Sequence, residues 1–571
     1  MELTKKDIIR LLETISIYME LKGENTFKVS AFRKAAAALE ADDRSVSEIK
    51  DYTELAGIGK GTASVIEEYL QTGESTVLKE LQEEVPTGLL QLLQLPGLGG
   101  KKIAKLYSEL GIENVEDLKE ACLAKKIQDL AGFGKKTEEK ILQAIENIGS
   151  RPDRLPIAFM LRVADLIEEQ LKNFSAVEKY SRAGSLRRMR ETIKDLDFII
   201  STKDTDSVRE QLLHLPKIKE IIAAGDTKVS ITLDFDYEVS VDFRLVKAHE
   251  FATTLHHFTG SKEHNVKMRQ LAKERGEKIS EYGVENVETG EILTFTSEED
   301  FYQHFNLPYI PPEIREDGRE VEEFSLSKPL ISLKDIKGDL HMHSTWSDGA
   351  YSIEEMVEAC RARGYQYIAI TDHSQYLKVA NGLDKERLRK QHAEIKRLNE
   401  KYDDFLILTG VEMDILPDGT LDYDDEMLAE VDVVIASIHS SFSQTQEKIM
   451  NRLKNALINA HVDIIAHPTG RLIGRREGYS VDMDMLIELA KETNTVLELN
   501  ANPHRLDLSA ENVRKAQAAG VKIAINTDAH HKDTLSHMEI GVATARKGWI
   551  LKENVLNTLG KDELLNFLYR R

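Results

Sequence analysis

The sequence predicts a multidomain chain of mixed α and α/β class: a helical front, an α+β middle and a C-terminal distorted (β/α)7 barrel. Three observations carry this. A glycine-centred turn leading into an amphipathic helix occurs three times before residue 150, strand-like runs alternate with helices from about 155 to 310, and β-rich runs recur about every 30 residues from about 335 onward. The 571 residues also exceed what one hydrophobic core can organise.

Composition narrows the class. Hydrophobic content of 41% with 30% charged residues reads as globular, and no apolar run approaches the span of a membrane helix. The opening "MELTKKDIIRLLETI" has an amphipathic helical pattern and lacks the apolar core and cleavage site of a signal peptide, so a cytoplasmic location is expected. Two cysteines, Cys122 and Cys360, build neither a disulfide framework nor a thiolate zinc site, so any metal must be held by nitrogen and oxygen. A net charge of −22 argues against a nucleic-acid partner on average. That sum mixes domains and includes carboxylates that would ligate metal, so local patches decide.

The helical front repeats "LAGIGKGTASVIEEYL" (55–70), "LPGLGGKKIAKLYSEL" (95–110) and "LAGFGKKTEEKILQAI" (130–145). Gly57 and Gly59, Gly97 and Gly99, and Gly132 and Gly134 allow the tight turn, and the following helix N-terminus offers free backbone N–H groups to an anion. Lys60, Lys101, Lys102, Lys135 and Lys136 add attraction to phosphate. One copy is equally a plain helical hairpin with a glycine cap; three favour phosphate binding. The segments resemble the helix-hairpin-helix motif, which implies a grip on DNA backbone without base readout.

In "RAGSLRRMRETIKDLDFII" (182–200), Asp195 and Asp197 stand two apart at a strand start and face the same side. Asp242, in "VSVDFRLV", lies on a second strand that would sit beside the first. Three such carboxylates suit two Mg²⁺ (or Mn²⁺) ions that activate an attacking hydroxyl and stabilise a leaving oxygen. Gly184 and Ser185 at a turn would offer N–H groups to a triphosphate, with Arg188 as charge clamp. An isolated Asp-x-Asp is usually a surface pair; the Gly-Ser before it and the strand-borne Asp after it turn the reading toward catalysis.

This order resembles the nucleotidyltransferase palm of family X DNA polymerases, the polymerase beta relatives. "HHFTGSKEHNVKMRQLAKERG" (256–276) is similar to that family's nucleotide-contacting segment. The resemblance implies that His257 and Phe258 border the incoming sugar, Gly260 gives it room, Asn265 touches the base and Arg269 reaches the template side. The family has Tyr where this chain has His257. "FKVSAFRKAAAALE" (27–40) and the first hairpin look like the family's small DNA-end-binding domain. The lysine that forms a Schiff base in lyase-active relatives is matched by Val65, so no lyase is implied, while Lys28 and Arg33 are expected at a 5′-phosphate.

The last third supplies His341, His343, Asp348, Asp372, His373, Glu412, His439, His467, Asp528 and His530, nearly all at the C-terminal ends of predicted strands, where (β/α) barrels place their chemistry. A lone histidine is most often an ordinary core or surface residue. So many imidazoles and carboxylates at matching strand ends point to two or three Zn²⁺, Mn²⁺ or Fe²⁺ ions with Glu412 bridging, and thus to hydrolysis at phosphorus. Arg471, Arg475 and Arg476 in "HPTGRLIGRREG" read equally as a phosphate or DNA clamp and as a solvated loop. "HMHSTWSDG", "ITDHS", "GVEMDI", "SIHS", "AHP" and "NTDAH" resemble the polymerase-and-histidinol-phosphatase (PHP) domain.

Palm followed by PHP barrel resembles bacterial family X polymerases over essentially the whole chain. That implies short-gap filling in base-excision repair, with 3′–5′ exonuclease and abasic endonuclease or 3′-phosphatase activity in the barrel. The implied partners are gapped or primer-template DNA and deoxynucleoside triphosphates, with no membrane, for a monomer. The expected domains are an end-binding domain (1–80), hairpin fingers (81–150), palm (151–250), thumb-like domain (251–312), an exposed linker (313–335) and the barrel (336–571). Two other readings stand beside this one: a phosphatase of small phosphorylated metabolites with a degenerate front half, and a non-enzymatic DNA-end scaffold with structural metals.

Overall fold

The computed structural model describes residues 5–41, 49–93, 95, 98–147 and 152–569. The chain forms two compact units, Met1–Pro152 and Asp153–Arg571. Among the described residues no helix is long and apolar enough to cross a membrane.

The first unit is helical. Helix Lys5–Lys22 buries Ile8, Leu11, Leu12, Ile15 and Met19, an i, i+3, i+4 stripe that packs into one core with Ile66, Leu89, Ile103 and Leu118 from later helices. The glycine turns begin helices as expected: Gly59 caps Lys60–Thr72 and Gly99 caps Gly100–Leu110, while Gly132 and Gly134 precede Lys135–Asn147.

The second unit starts with a five-stranded sheet in the order Val177–Arg182, Leu196–Thr202, Glu238–Val246, Lys228–Asp234, Ile218–Ala224. Within Glu238–Val246 the apolar Val239, Val241, Phe243 and Leu245 alternate with half-buried Asp242 and Arg244, the period of a strand with one covered face. Helix Ile157–Leu171 covers that face with Met160, Val163, Ala164 and Ile167. Leu196–Thr202 and Glu238–Val246 run parallel, with Asp197 opposite Asp242. Helices Phe251–Thr259, Lys262–Glu274 and Glu298–His304 then pack with a small three-stranded antiparallel sheet.

The expected exposed linker over 313–335 is corrected by the structure. Ile314, Arg315, Glu320 and Val321 are buried in the thumb-like core, and the longest exposed run there is 325–329. The charge density that reads as solvated is satisfied inside: Arg315 donates to Glu298 at 2.7 Å and to the Ile310 carbonyl at 2.8 Å, and Glu320 lies 2.6 Å from His264 Nδ1.

The barrel is a seven-stranded parallel sheet in sequence order, from Gly338–Asp339 through Tyr367–Ile370, Leu406–Asp414, Val433–Ser437, Ile464–Ile465 and Val496–Asn500 to Ile523–Asn526. A bridge between Met342 and Ala529 and the hydrogen bond from His343 N to the Ala529 carbonyl bring first and last strands together just past their ends, so the barrel nearly closes. Its interior is a packed layer of Leu340, Ala369, Leu408, Ile435, Ile464 and Ala524.

Candidate active sites and DNA contacts

In the sheet of the second unit, the register Asp197–Asp242 sets two carboxylates side by side on one face, with Asp195 immediately before the strand. Ser230 Oγ donates to Asp242 at 2.5 Å and Lys228 Nζ lies 2.8 Å from it. Burial, then the charges of Asp242 and Asp195, push the Asp197 carboxyl up to about 7. Such crowding of like charge suits a divalent cation. The Gly184 turn presses on the same group. Gly184 has φ +60°, and a Cβ there would collide with Asp197 Oδ2.

Ser185 and Arg188 follow on the short helix Gly184–Arg187 and its cap. Arg188 donates to the Thr259 carbonyl and faces Glu316, and a Cβ on Gly260 would meet its NH1 at 3.1 Å. His257 and Phe258 end helix Phe251–Thr259 half-buried, with the Arg244 guanidinium 4.3 Å over the Phe258 ring. Burial lowers the His257 pKa, favouring the neutral ring. Asn265 donates to the His257 carbonyl at 2.8 Å, while its own Oδ1 is buried without a hydrogen bond among the described residues. Arg269 is exposed on helix Lys262–Glu274.

Every barrel candidate lies at or past a strand's C-terminal end except Glu412, two residues inside the end of Leu406–Asp414, and three groups of donor atoms converge to within 4.8 Å: His343, Asp348, His373 and His530; His341, His343, Glu412 and Asp528; and His373, Glu412 and His439. Glu412, His343 and His373 each belong to two groups. His467 Nε2 lies 2.9 Å from Glu412 Oε1 outside those three groups. His341 Nε2, His343 Nδ1, His373 Nδ1 and Glu412 Oε2 are buried and make no well-aligned hydrogen bond among the described residues, the mark of a donor set built for cations, although His373 Nδ1 lies 2.9 Å from Glu412 Oε2. These clusters fit metal binding.

The electrostatics agree. Burial opposes charge at His439 and His530, yet Glu412 and Asp414 bring the first up to about 10, and Asp348 and Asp528 the second to about 9. His343, buried beside His530 and His373, is pushed down to about 3. Asp348, Glu412 and Asp528 are all held below the usual carboxylate range by surrounding imidazoles, against burial.

Two sequence expectations change here. Asp372 is a brace: it accepts from Ser344 N at 2.8 Å, from Ser344 and Ser347 hydroxyls and from Gln391 Nε2 at 2.5 Å, fixing the loop that carries Asp348. Arg471 is no free clamp, because its guanidinium pairs with Glu191 at 2.7 and 3.1 Å and takes the Arg505 and Leu506 carbonyls. Arg476 is engaged by the Gly470 carbonyl and the Phe442 ring, and Arg475 alone of the three is exposed.

The sequence reading missed Glu498. Its Oε1 lies 2.7 Å from His341 Nδ1 and its Oε2 accepts His467 N at 2.7 Å, so it orients two histidines at once. The available signal was an acidic residue in "VLELN", a strand buried on both faces. Asp414, 3.3 Å from His439 Nδ1, and Asn500, donating to Asp528 at 3.1 Å, play like parts.

In the helical unit, Lys60, Lys101 and Lys135 are exposed beside the glycine turns, and a Cβ at Gly59, Gly99, Gly132 or Gly134 would meet nothing within 4 Å, so these turns are open to approach. Gly57 instead has φ +113° and sits against the Lys34 carbonyl. Lys102 Nζ lies 5.5 Å over Phe133. Gly97 is outside the described residues. Lys28 and Arg33 are exposed but already face Glu24 at 3.1 Å and Glu20 at 2.7 Å, which weakens the expectation of a free phosphate pocket. Val65 is buried in the core of helix Lys60–Thr72.

Comparisons with known proteins follow this layout. A helix-hairpin-helix domain model matches residues 4–75, a SAM-like helix-hairpin-helix tandem 89–147, the DNA polymerase beta thumb 254–316 and the PHP domain 339–502. A Bacillus subtilis (strain 168) protein named DNA polymerase/3′-5′ exonuclease PolX is 67% identical over 566 residues, covering 99% of each chain. A Thermoanaerobacter sp. (strain X514) protein named probable phosphatase is 32% identical over 231 residues, 38% of this chain and 89% of its own. The latter match covers little more than a third of this chain, whereas the former spans hairpins, palm, thumb and barrel alike, and on that span the chain belongs to the bacterial family X DNA polymerases of the PolX type, a polymerase beta-like core joined to a PHP domain.

Proposed function

We propose that the chain is a DNA-directed DNA polymerase and 3′–5′ exonuclease with two separate sites: nucleotidyl transfer in the palm and phosphoester hydrolysis at the barrel mouth. The observation that carries it is Asp197 registered beside Asp242, with the Gly184–Ser185 turn packed directly on that pair. A non-enzymatic scaffold with structural metals has no use for that turn packed on such crowding.

Divalent ions held by Asp195, Asp197 and Asp242, Mg²⁺ or Mn²⁺ by their all-oxygen donors, would supply Lewis acidity where the 3′-hydroxyl meets the α-phosphate. The chain's own groups do the positioning. Backbone N–H groups of the 184–185 turn and the Arg188 guanidinium hold the triphosphate. His257 and Phe258 flank the sugar, Asn265 and Arg269 face the base pair, and the glycine turns with Lys60, Lys101, Lys102 and Lys135 hold DNA backbone. In the barrel, His341, His343, Asp348, His373, Glu412, His439, His467, Asp528 and His530 would hold two or three Zn²⁺, Mn²⁺ or Fe²⁺ ions, with Glu498, Asp414 and Asn500 fixing the ligands' orientation. Gap filling in base-excision repair by a cytoplasmic monomer fits hairpins that would hold DNA through shape and phosphate alone.

The test is time-resolved processing of a one-nucleotide gap by wild type, Asp242→Ala and His341→Ala. Asp242→Ala is expected to lose at least ~100-fold in synthesis and keep hydrolysis, with His341→Ala doing the reverse. Loss of both activities in either folded variant would falsify independent sites. Hydrolysis of histidinol phosphate in preference to a 3′-recessed end would favour the metabolite phosphatase instead.

A further inference from the structure

Lys547 ends the barrel helix His537–Lys547, yet its ammonium lies among groups of the polymerase half. Lys547 Nζ is 2.5 Å from Glu316 Oε1 and donates to the carbonyl of Arg188 at 3.2 Å. Glu316 meets Arg188 Nε at 3.4 Å and Arg190 NH1 at 2.9 Å. Lys547 and Arg188 are the sheltered members, with 16% and 14% of their side chains exposed, whereas Arg190 is 47% exposed on the outer side of Glu316. On its other side Arg188 is tied to the Thr259 carbonyl, and Ser261 Oγ donates to the carbonyl of Glu316 at 2.7 Å. Arg188 is therefore fixed between the Thr259–Ser261 turn and a carboxylate that the barrel holds.

We propose that Lys547 is a positioning residue of the nucleotidyl-transfer site, by which the barrel sets Glu316 and through it the guanidinium of Arg188. The inference rests on the polymerase reading above, in which Arg188 meets the incoming triphosphate. Three cations around one carboxylate leave positive charge to spare for an anionic ligand. With Lys547 gone, Glu316 is shared by two arginines only and draws more fully on Arg188, while the Arg188 carbonyl loses its donor. The consequence is weaker triphosphate binding, which appears in KM before kcat. Arg546, the preceding residue, supplies a control. It binds Glu313 at 3.1 Å and the Ile331 carbonyl at 3.2 Å at the same joint, without contacting Glu316 or Arg188.

The experiment measures kcat and KM for the incoming nucleotide on a one-nucleotide gap, with barrel hydrolysis in parallel, for full-length wild type, Lys547→Met, Lys547→Arg and Arg546→Met. Lys547→Met is expected to raise KM about tenfold with a smaller change in kcat, Lys547→Arg to recover most of it, and Arg546→Met to leave it unchanged. Hydrolysis by Lys547→Met should match wild type. An unchanged KM in folded Lys547→Met, or an equal rise in Arg546→Met, overturns the proposal. If Lys547→Met does not fold, Lys547→Gln is read in its place against the same outcomes. A wild-type protein that incorporates no nucleotide sinks the polymerase reading itself, a result distinct from either of these.

Discussion

Gly184 is the residue whose smallness matters most to the palm. Its φ of +60° and the collision a Cβ would make with Asp197 Oδ2 leave an alanine nowhere to go without moving the carboxylate. Gly184→Ala is expected to cut synthesis by roughly 100-fold, because displacement of a reacting group by about 1 Å costs that much. Hydrolysis in the barrel should persist, and parallel rate measurements would check both; full synthesis by the alanine variant would show the turn can shift freely. The palm carboxylates were legible because a strand's period of two places Asp195 and Asp197 on one side and alternation in "VSVDFRLV" marks Asp242 as facing out of the core. The part played by Arg471 was not legible. Its partner Glu191 lies 280 residues away, and no local spacing encodes such a pair. Glu498 was hidden differently, because its strand reads as an apolar run and only the fold reveals His341 and His467 beside it.

Among elements, the thumb-like domain is bound to the palm by a buried ion triad. Glu298 Oε2 lies 2.6 Å from Arg187 of the palm turn and Oε1 2.7 Å from Arg315 in the segment expected to be an exposed linker. Burial alone would raise the Glu298 pKa, but Arg315 and Arg187 bring it down to about 2 from the usual 4.5. A depressed folded-state pKa contributes stability that is present above about pH 4.5 and lost as pH falls toward 2, here on the order of 3 kcal/mol. Glu298→Gln should therefore loosen this domain near neutral pH, leaving Arg315 buried without its counter-charge. Its difference from wild type should shrink as both are taken from pH 5 toward pH 3. Hydrogen exchange of the Glu298–His304 helix, variant against wild type at each pH, follows this domain alone; a difference that stays constant across the range would rule the triad out as its source. The helices and strands themselves were largely readable from their periods, whereas this segment was misread because charge density looks the same whether it faces water or an opposite charge.

At the scale of the whole molecule, one chain carries two clusters of candidate metal donors that differ in donor type and in shelter. The palm offers carboxylate oxygens at half-buried positions, whereas the barrel closes imidazoles and carboxylates around a buried centre with oriented partners behind them. Oxygen-only, accessible donors suit an ion that exchanges readily and arrives with the nucleotide's phosphates. Buried nitrogen and oxygen donors favour first-row transition ions held tightly, since desolvating the site without a cation leaves histidine atoms such as His343 Nδ1 and His467 Nδ1 without hydrogen-bond partners among the described residues. Chelation followed by metal return should separate the two. After exhaustive treatment with a strong chelator, Mg²⁺ alone is expected to restore gap filling to near its original rate while hydrolysis of 3′ ends stays at or below about a tenth, and Mn²⁺ or Zn²⁺ should then recover hydrolysis. His341→Ala, treated alike, should regain synthesis with Mg²⁺ and no hydrolysis with any ion. If Mg²⁺ brought both activities back together at the same concentration, the two centres would share one kind of metal site, and the contrast between an exchangeable palm and a retentive barrel would be wrong.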